Sequence, residues 1–198
     1  MNILSPTGAS PASSRPFAFL DRDGTIIVDR HYLCEPDRVE LCAGAAEGLF
    51  ALQRAGFRLI VITNQSGIGR GYFDESQLFA VDDRLCKMLQ THNIHLEAIY
   101  YCPHAPGDGC DCRKPRPGLV LRAVSQVGGD LRGACVIGDN PADLQLARNL
   151  GLAAIYVTTG RTPIAPDLLE PQPNFRADSL AAAANFILSR PLPPGPAS

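Results

Sequence analysis

The sequence has no tryptophan, and it lacks both a block of basic residues and an apolar run approaching the roughly 20 residues of a membrane-spanning helix. Its net charge is −2. A protein that binds nucleic acid needs a basic face and aromatic residues for base stacking, and one that binds an anionic membrane needs basic clusters. We therefore expect neither nucleic acid nor a membrane as a partner.

The beginning of the chain also lacks the features of a targeting segment. Residues 1–15 are rich in Ser, Pro and Ala, without the basic start and the apolar stretch of a secretory signal peptide. We predict a disordered lead-in over 1–15, a single domain over 16–189 and a disordered tail over 190–198. Seven cysteines without an export signal favour reduced thiols or metal ligands, and therefore a cytoplasmic protein. We expect a monomer.

Short apolar runs alternate with helical patterns along the chain. The first run, Phe17-Ala18-Phe19-Leu20, carries no charge, which is typical of a strand buried on both faces of a sheet. Strands that alternate with helices at this spacing predict a doubly wound parallel α/β sheet. Asp74 and Asp178 are the predicted N-caps of two helices. The predicted strands cover 17–20, 58–63, 96–101, 134–138 and 152–157, and the predicted helices cover 45–55, 75–91, 117–127 and 179–188, with a further one ending at Leu150.

Polar residues follow several of the predicted strands at the point where each strand ends. In an open α/β sheet, ligands bind at the carboxyl ends of the strands, so we expect these side chains to converge. By itself, the Asp-x-Asp-Gly pattern is also typical of an ordinary turn, so the functional interpretation depends on the whole set. At the strand ends the set comprises Asp21, Asp23, Thr63, Asn64, Asp139 and Asp143, and it is completed by Lys114, which lies between the third and fourth strands ahead of a helix.

These residue types in this order indicate phosphoryl transfer. Asp21 can attack phosphorus and form an aspartyl-phosphate, while Asp23 can protonate the leaving oxygen and later deprotonate the attacking water. Thr63 and Lys114 can hold the phosphoryl oxygens. Asp21, Asp139 and the main-chain carbonyl of Asp23 form an all-oxygen set that suits Mg²⁺.

A second candidate metal site lies in the cysteine loop, residues 102–112. Three thiols and one imidazole lie within eleven positions, and such a soft set of four is typical of structural Zn²⁺. The alternative is that these cysteines are reduced and meet in a turn by chance. Zinc would order a loop rich in Gly and Pro, and would so position the residues that follow it. The predicted ligands are Cys102, His104, Cys110 and Cys112.

The order of motifs resembles the haloacid dehalogenase superfamily of phosphotransferases. Phe19-Leu20-Asp21-Arg22-Asp23-Gly24-Thr25 is similar to its first motif, and Val61-Ile62-Thr63-Asn64-Gln65 to its second. Lys114 matches the third motif, and Gly138-Asp139-Asn140-Pro141-Ala142-Asp143 the fourth. The resemblance implies a haloacid dehalogenase-like, Rossmannoid sheet with a small flap, a zinc-binding loop and no large cap domain. Residues 25–40 show no clean period, and we interpret them as this flap or as a loop over the site.

A narrower resemblance is to the D-glycero-D-manno-heptose 1,7-bisphosphate 7-phosphatase family, whose near relatives are histidinol-phosphate phosphatases. It rests on Asp-Arg-Asp-Gly-Thr, on Thr-Asn-Gln-Ser-Gly and on the Cys-Pro-His and Cys-Asp-Cys-Arg-Lys-Pro segments. Asn140 is a departure, because a Lys is expected beside the metal aspartate. The cysteine loop has a short form that does not separate the two activities, whereas Asn64-Gln65-Ser66-Gly67 favours the heptose substrate.

This resemblance implies a Mg²⁺-dependent phosphatase that removes the 7-phosphate of a heptose 1,7-bisphosphate in nucleotide-activated heptose biosynthesis. The small-molecule partner would then be a sugar phosphate. The alternatives are a phosphatase for histidinol phosphate or another sugar phosphate and, in a different class, an inactive zinc-stabilised binding module. The residues implied in substrate binding are Asp29, Arg30, His31, Tyr32, Thr63, Asn64, Gln65, Ser66, Arg113 and Lys114.

Overall fold

The fold, taken from a computed structural model, is built on one six-stranded sheet. The structure describes residues 15–160, 162, 164–190 and 192, so the predicted lead-in and tail lie almost wholly outside the described residues. Every neighbouring pair of strands is parallel, and the strand order is β3-β2-β1-β4-β5-β6. The strands are Phe17–Leu20 (β1), Arg58–Asn64 (β2), Ala98–Cys102 (β3), Cys135–Gly138 (β4), Ala153–Val157 (β5) and Phe175–Ala177 (β6).

Helices cover both faces of the sheet, which confirms the predicted doubly wound architecture. Ala18 and Leu20 of β1 point into a core that they share with α1, α3 and α6. Phe17 and Phe19 point the other way, into a core shared with α4 and α5. Successive residues of a strand face opposite sides, so an uninterrupted apolar strand needs a helical layer on each side. The helices are Ala45–Arg54 (α1), Ser66–Gly69 (α2), Glu75–Thr91 (α3), Gly118–Val127 (α4), Pro141–Leu150 (α5) and Leu180–Ser189 (α6).

Two helix starts test the predicted caps. Asp74 accepts from the main-chain N–H of Gln77 at 3.0 Å, and the Gln77 side chain accepts from the N–H of Asp74 at 3.1 Å, so the capping box of α3 is confirmed. The predicted cap of α6 is wrong by one residue. Ser179 accepts from the N–H of Ala182 at 3.2 Å, whereas Asp178 accepts a hydrogen bond from the Ser179 hydroxyl.

The sheet order brings the ends of three strands to one place. β1 lies between β2 and β4, with Leu20 in register with Val61 on one side and Ile137 on the other. The chain runs outward from β1 in both directions, which makes this point the crevice where ligands bind in doubly wound sheets. None of the helices in the described ranges is both long enough and apolar enough to cross a membrane.

Candidate active site

A cavity of about 250 Å³ opens at the carboxyl ends of β1, β2 and β4. It brings together groups from five separate stretches of the chain, as the convergence of strand ends predicts. Every residue to which the sequence assigned catalysis lies along it. The lining residues are Asp21, Asp23, Asp29, Thr63, Asn64, Arg113, Lys114, Asp139, Asn140, Ala142 and Asp143.

Lys114 forms the centre of the charged groups in this cavity. Its ammonium lies 2.6 Å from Asp21 Oδ1 and 2.7 Å from Asp143 Oδ1, and the side chain is buried. Burial disfavours the ammonium, but the charges of Asp143 and Asp21 outweigh that effect and raise the pKa of Lys114. Asn64 fixes the main chain at this point, because its side chain accepts from the Lys114 N–H and donates to the Lys114 carbonyl.

Three of the five carboxylates that line the cavity lie close together. Oxygen atoms of Asp21, Asp139 and Asp143 lie within 4.8 Å of one another. Burial, together with the charges of Asp21 and Asp143, raises the pKa of Asp139 to about 8. Burial and the charge of Asp21 raise the pKa of Asp143 to about 6, against the opposing effect of Lys114. A divalent cation would relieve this crowding of like charges, and an all-oxygen donor set is the one that Mg²⁺ prefers.

Two glycines leave the space that the Asp139 carboxylate occupies. A Cβ atom placed on Gly24 would lie 2.4 Å from Asp139 Oδ2, and one on Gly160 would lie 2.1 Å from the same atom. Gly24 also has a φ of +80°, a conformation that favours glycine. The residues at this point therefore fit a Mg²⁺ site, with Asp143 as a member that the predicted ligand set did not include.

Asp23 is held differently from Asp21. Its Oδ2 accepts from Arg22 Nε at 3.0 Å and from Gln65 Nε2 at 2.9 Å, and its Oδ1 accepts from Arg22 Nη2 at 3.3 Å. Gln65 Nε2 also donates to the Thr63 hydroxyl at 2.8 Å. The carboxylate is thus oriented by two residues, Arg22 and Gln65, while it remains at the cavity wall.

The guanidinium that holds Asp23 is one of the most buried charges in the described chain. Arg22 is fully buried, and its Nη1 donates to Asp82 Oδ1 on α3 at 2.7 Å. Burial disfavours the charge, but the carboxylates of Asp23 and Asp82 outweigh that effect and raise the pKa of Arg22. Sequence reasoning assigned no role to Arg22 or Asp82. The only pattern that could have indicated one is an acidic residue within the apolar stripe of α3, between Leu78 and Leu85.

Only part of the predicted substrate-binding set lines the cavity. Asp29, Thr63, Asn64, Arg113 and Lys114 do so. In the flap, the Arg30 guanidinium bonds to Glu40 and to the Arg38 carbonyl, and the Tyr32 ring lies 4.8 Å from the Tyr72 ring. Substrate contacts of the remaining residues stay predictions; these residues are Arg30, His31, Tyr32, Gln65 and Ser66.

The four predicted zinc ligands lie together beside the cavity. Cys112 Sγ lies 3.2 Å from Cys102 Sγ and 3.3 Å from His104 Nδ1, and Cys110 Sγ lies 3.6 Å from Cys102 Sγ. All four donor atoms are within 4.8 Å of one another, so the set can close around a single ion. Three thiols and one imidazole are a donor set that suits structural zinc. The cysteine loop also contacts Arg113, whose Nη1 donates to the His104 carbonyl at 3.3 Å.

Sequence comparison with known phosphatases shows the family. The D-glycero-β-D-manno-heptose-1,7-bisphosphate 7-phosphatase of Escherichia coli K12 is 41% identical over 165 residues, which cover 79% of this chain and 85% of that protein. The chain belongs to this phosphatase family. The protein of the same name from Pseudomonas aeruginosa PAO1 is 38% identical over 176 residues, which cover 88% of this chain and 99% of that protein.

Solved structures and a family model agree with this membership. The D,D-heptose 1,7-bisphosphate phosphatase from B. bronchiseptica, solved with magnesium and phosphate, superposes with a TM-score of 0.79 at 35% identity, and the match covers 88% of this chain and 98% of that one. A family model described as HAD-hydrolase-like matches residues 111–183. The chain is therefore a phosphoric monoester hydrolase with a HAD-like fold and no large cap domain.

Proposed function

We propose that this protein removes the 7-phosphate of D-glycero-D-manno-heptose 1,7-bisphosphate with the help of Mg²⁺, within nucleotide-activated heptose biosynthesis. One observation carries the chemical part of the proposal. A buried ammonium, Lys114, lies 2.6 Å from the Asp21 carboxylate, in a cavity that also contains the carboxylates of Asp139 and Asp143. The 41% sequence identity to the heptose bisphosphate phosphatase of Escherichia coli K12 supports the choice of substrate.

The proposed reaction divides hydrolysis into two transfers. Asp21 attacks the phosphorus, the bond from phosphorus to the sugar oxygen breaks, and Asp23 gives its proton to that oxygen. Water then attacks the phosphorus of the aspartyl-phosphate and transfers a proton to Asp23. The bond between phosphorus and the Asp21 oxygen breaks, which regenerates the Asp21 carboxylate and releases inorganic phosphate. Both residues return to their starting states, so the cycle balances.

The remaining groups of the cavity bind the phosphoryl oxygens. The Lys114 ammonium and the Thr63 hydroxyl, which both belong to residues that line the cavity, would contact those oxygens, where charge compensation provides much of the catalysis. Asp21, Asp139 and the main-chain carbonyl of Asp23 would hold Mg²⁺, with Asp143 beside them. Bound there, the ion would supply positive charge that offsets the carboxylates and the phosphate.

The surroundings of Arg113 support a substrate with two phosphates. Arg113 and Lys114 line both the main cavity and an adjoining cavity of about 340 Å³ beside the cysteine loop. Lys114 is directed to Asp21. Arg113 donates to the His104 carbonyl through Nη1, and its other nitrogens would bind a second anionic group. A planar guanidinium binds a phosphate through two parallel hydrogen bonds, which suits recognition of the 1-phosphate.

Phosphate release from three substrates tests the proposal. Heptose 1,7-bisphosphate should be hydrolysed with a higher kcat/KM than histidinol phosphate or para-nitrophenyl phosphate, and removal of Mg²⁺ should abolish turnover. Asp21→Asn keeps the shape but not the nucleophile, so activity should fall by at least about a thousandfold in protein that remains folded. A preference for histidinol phosphate would favour the alternative activity. Absence of turnover on all three would favour the inactive binding module.

A further inference from the structure

Asp82 is a buried carboxylate that the proposed reaction does not use. It lies on α3, outside the cavity, and only 3% of its surface is exposed. It lies on the same buried face of the helix as Leu78, Val81 and Leu85. A buried ion pair at such a position adds little to the free energy of unfolding, because well-packed apolar residues often stabilise a core as well or better. Its position therefore calls for another explanation.

Arg22 connects Asp82 to the cavity. The three nitrogens of its guanidinium are used in two directions: Nη1 donates to Asp82, while Nε and Nη2 donate to the two oxygens of Asp23. Because the guanidinium is planar and rigid, fixing one edge on Asp82 fixes the orientation of the other edge. The helix thereby determines where the Asp23 carboxylate points.

Gln65 is a second residue that donates to the same carboxylate. Its Nε2 lies 2.9 Å from Asp23 Oδ2 and 2.8 Å from the Thr63 hydroxyl, and the residue is buried. This support is needed because Asp23 belongs to the turn after β1, where its side chain is 24% exposed. Proton transfer also requires an acid within hydrogen-bonding reach of the leaving oxygen.

From these contacts we infer that Asp82 is a positioning residue, which acts through Arg22 and together with Gln65 to hold Asp23 in the orientation for proton transfer. This inference rests on the proposed function, because it assigns the acid and base role to Asp23. Asp82 itself does not touch the substrate.

The inference predicts a dependence on the leaving group. The sugar oxygen of heptose 1,7-bisphosphate needs a proton as it leaves, whereas para-nitrophenolate leaves without one. Displacement of Asp23 should therefore slow phosphorylation of Asp21 by the sugar phosphate but not by the aryl phosphate. Hydrolysis of the aspartyl-phosphate needs Asp23 as a base with either substrate, so the aryl phosphate should give a burst of para-nitrophenol followed by a slow steady state.

The experiment compares Asp82→Ala with a matched control on the same helix. Asp83→Asn also removes a carboxylate from α3, but Asp83 is exposed and pairs with Lys87. Asp82→Ala should lower kcat on heptose 1,7-bisphosphate by about tenfold to a hundredfold with little change in KM, and should show the burst. Asp82→Asn, which keeps an acceptor for Arg22, should give an intermediate loss, and Asp83→Asn should behave as wild type.

Two further variants keep the test decisive. If Asp82→Ala unfolds below the assay temperature, Gln65→Met is assayed instead. Gln65→Met removes the amide donor to Asp23, so it should produce the same burst of para-nitrophenol. Asp23→Asn separates the two proposals. If it lacks the leaving-group dependence, the proposed role of Asp23 fails. If Asp23→Asn shows the dependence but folded Asp82 variants give no burst of para-nitrophenol, or keep full activity on the heptose bisphosphate, the positioning role is overturned while the proposed function stands.

Discussion

At the scale of single residues, the close approach of Gly160 to Asp139 gives a test of the proposed Mg²⁺ site. In Gly160→Ala, the new methyl group would lie 2.1 Å from Asp139 Oδ2, so the carboxylate must move. We expect the Mg²⁺ concentration for half-maximal activity to rise by at least about tenfold, because cation affinity depends on ligand geometry. Titration of activity with Mg²⁺ measures this change.

The control for this substitution is Gly107→Ala. Gly107 lies in the cysteine loop, and a Cβ placed on it would meet no atom within 4 Å. Its Mg²⁺ dependence should equal that of the wild type. If Gly160→Ala also kept the wild-type dependence, Asp139 would not be a ligand of the activating cation.

Arg113 allows substrate recognition to be separated from chemistry. Arg113→Ala should lower kcat/KM for the heptose bisphosphate by an amount equivalent to about 2 kcal/mol, chiefly through KM, because the second phosphate loses its partner. Hydrolysis of para-nitrophenyl phosphate should change little, since that substrate has no second phosphate. Equal losses on both substrates would mean that Arg113 supports the chemistry or the cysteine loop, to which it is bonded through the His104 carbonyl.

The motif residues were more predictable than the residues that orient them. Asp21, Asp23, Thr63 and Asp139 are predictable because each lies at the end of a strand, and strand ends converge in this type of sheet. Lys114 lies between the third and fourth strands, ahead of a helix, and its role is predicted from its place in the order of motifs. The connection from Asp82 to Asp23 is different: it joins residues about 60 positions apart through the orientation of one guanidinium. Such a contact depends on how α3 packs, which the local pattern does not specify.

At the scale of elements, the cysteine loop is expected to depend on zinc. Protein purified under reducing, chelator-free conditions should contain about one equivalent of zinc, because the four donors can close around one ion. Cys110→Ser should lower the zinc content and the melting temperature, since zinc binding contributes to folding. Elemental analysis and thermal melting measure the two effects. Cys34→Ser, which alters a half-buried thiol outside the cluster, is the matched control and should retain the zinc.

Helices with strong caps were predicted closely, whereas short elements were not. The capping box at Asp74 and the glycine at 151 determine the ends of α3 and α5, as the sequence indicated. β6 is only three residues long, and α2 is a single turn that begins at Ser66. Neither is long enough to show a period of its own, so tertiary packing determines both.

At the scale of the whole molecule, Arg58 connects the starts of β1, β2 and β3 to the end of α4, at the end of the sheet opposite the cavity. It opens β2 and bonds to Glu97 and to the carbonyls of Val127 and Gly128, while its guanidinium lies over the Phe17 ring. Arg58→Met should lower the free energy of unfolding by about 3 kcal/mol, because Glu97 and the two carbonyls lose a buried partner.

Activity and stability should separate in this variant. The kcat of folded Arg58→Met should remain near the wild-type value, since Arg58 lies at the other end of β2 from Thr63. The melting temperature should fall by about 9 °C for a chain of this size. Thermal melting followed by steady-state assay below the transition measures both. A large fall in kcat at full folding would show that the two ends of the sheet are coupled.

The strand order has a consequence for assembly. The proposed nucleophile, Asp21, precedes Gly128 in the chain and Asp139 follows it, and the two are brought together because β1 pairs with β4. Gly128 and Gly129 are exposed, so a chain divided there would yield two fragments, each with an incomplete set of catalytic groups. Phosphate release would begin only when the fragments pair along β1 and β4. The two fragments would therefore form a split reporter: if each is fused to one of two binding partners, the rate of phosphate release measures how often the partners associate.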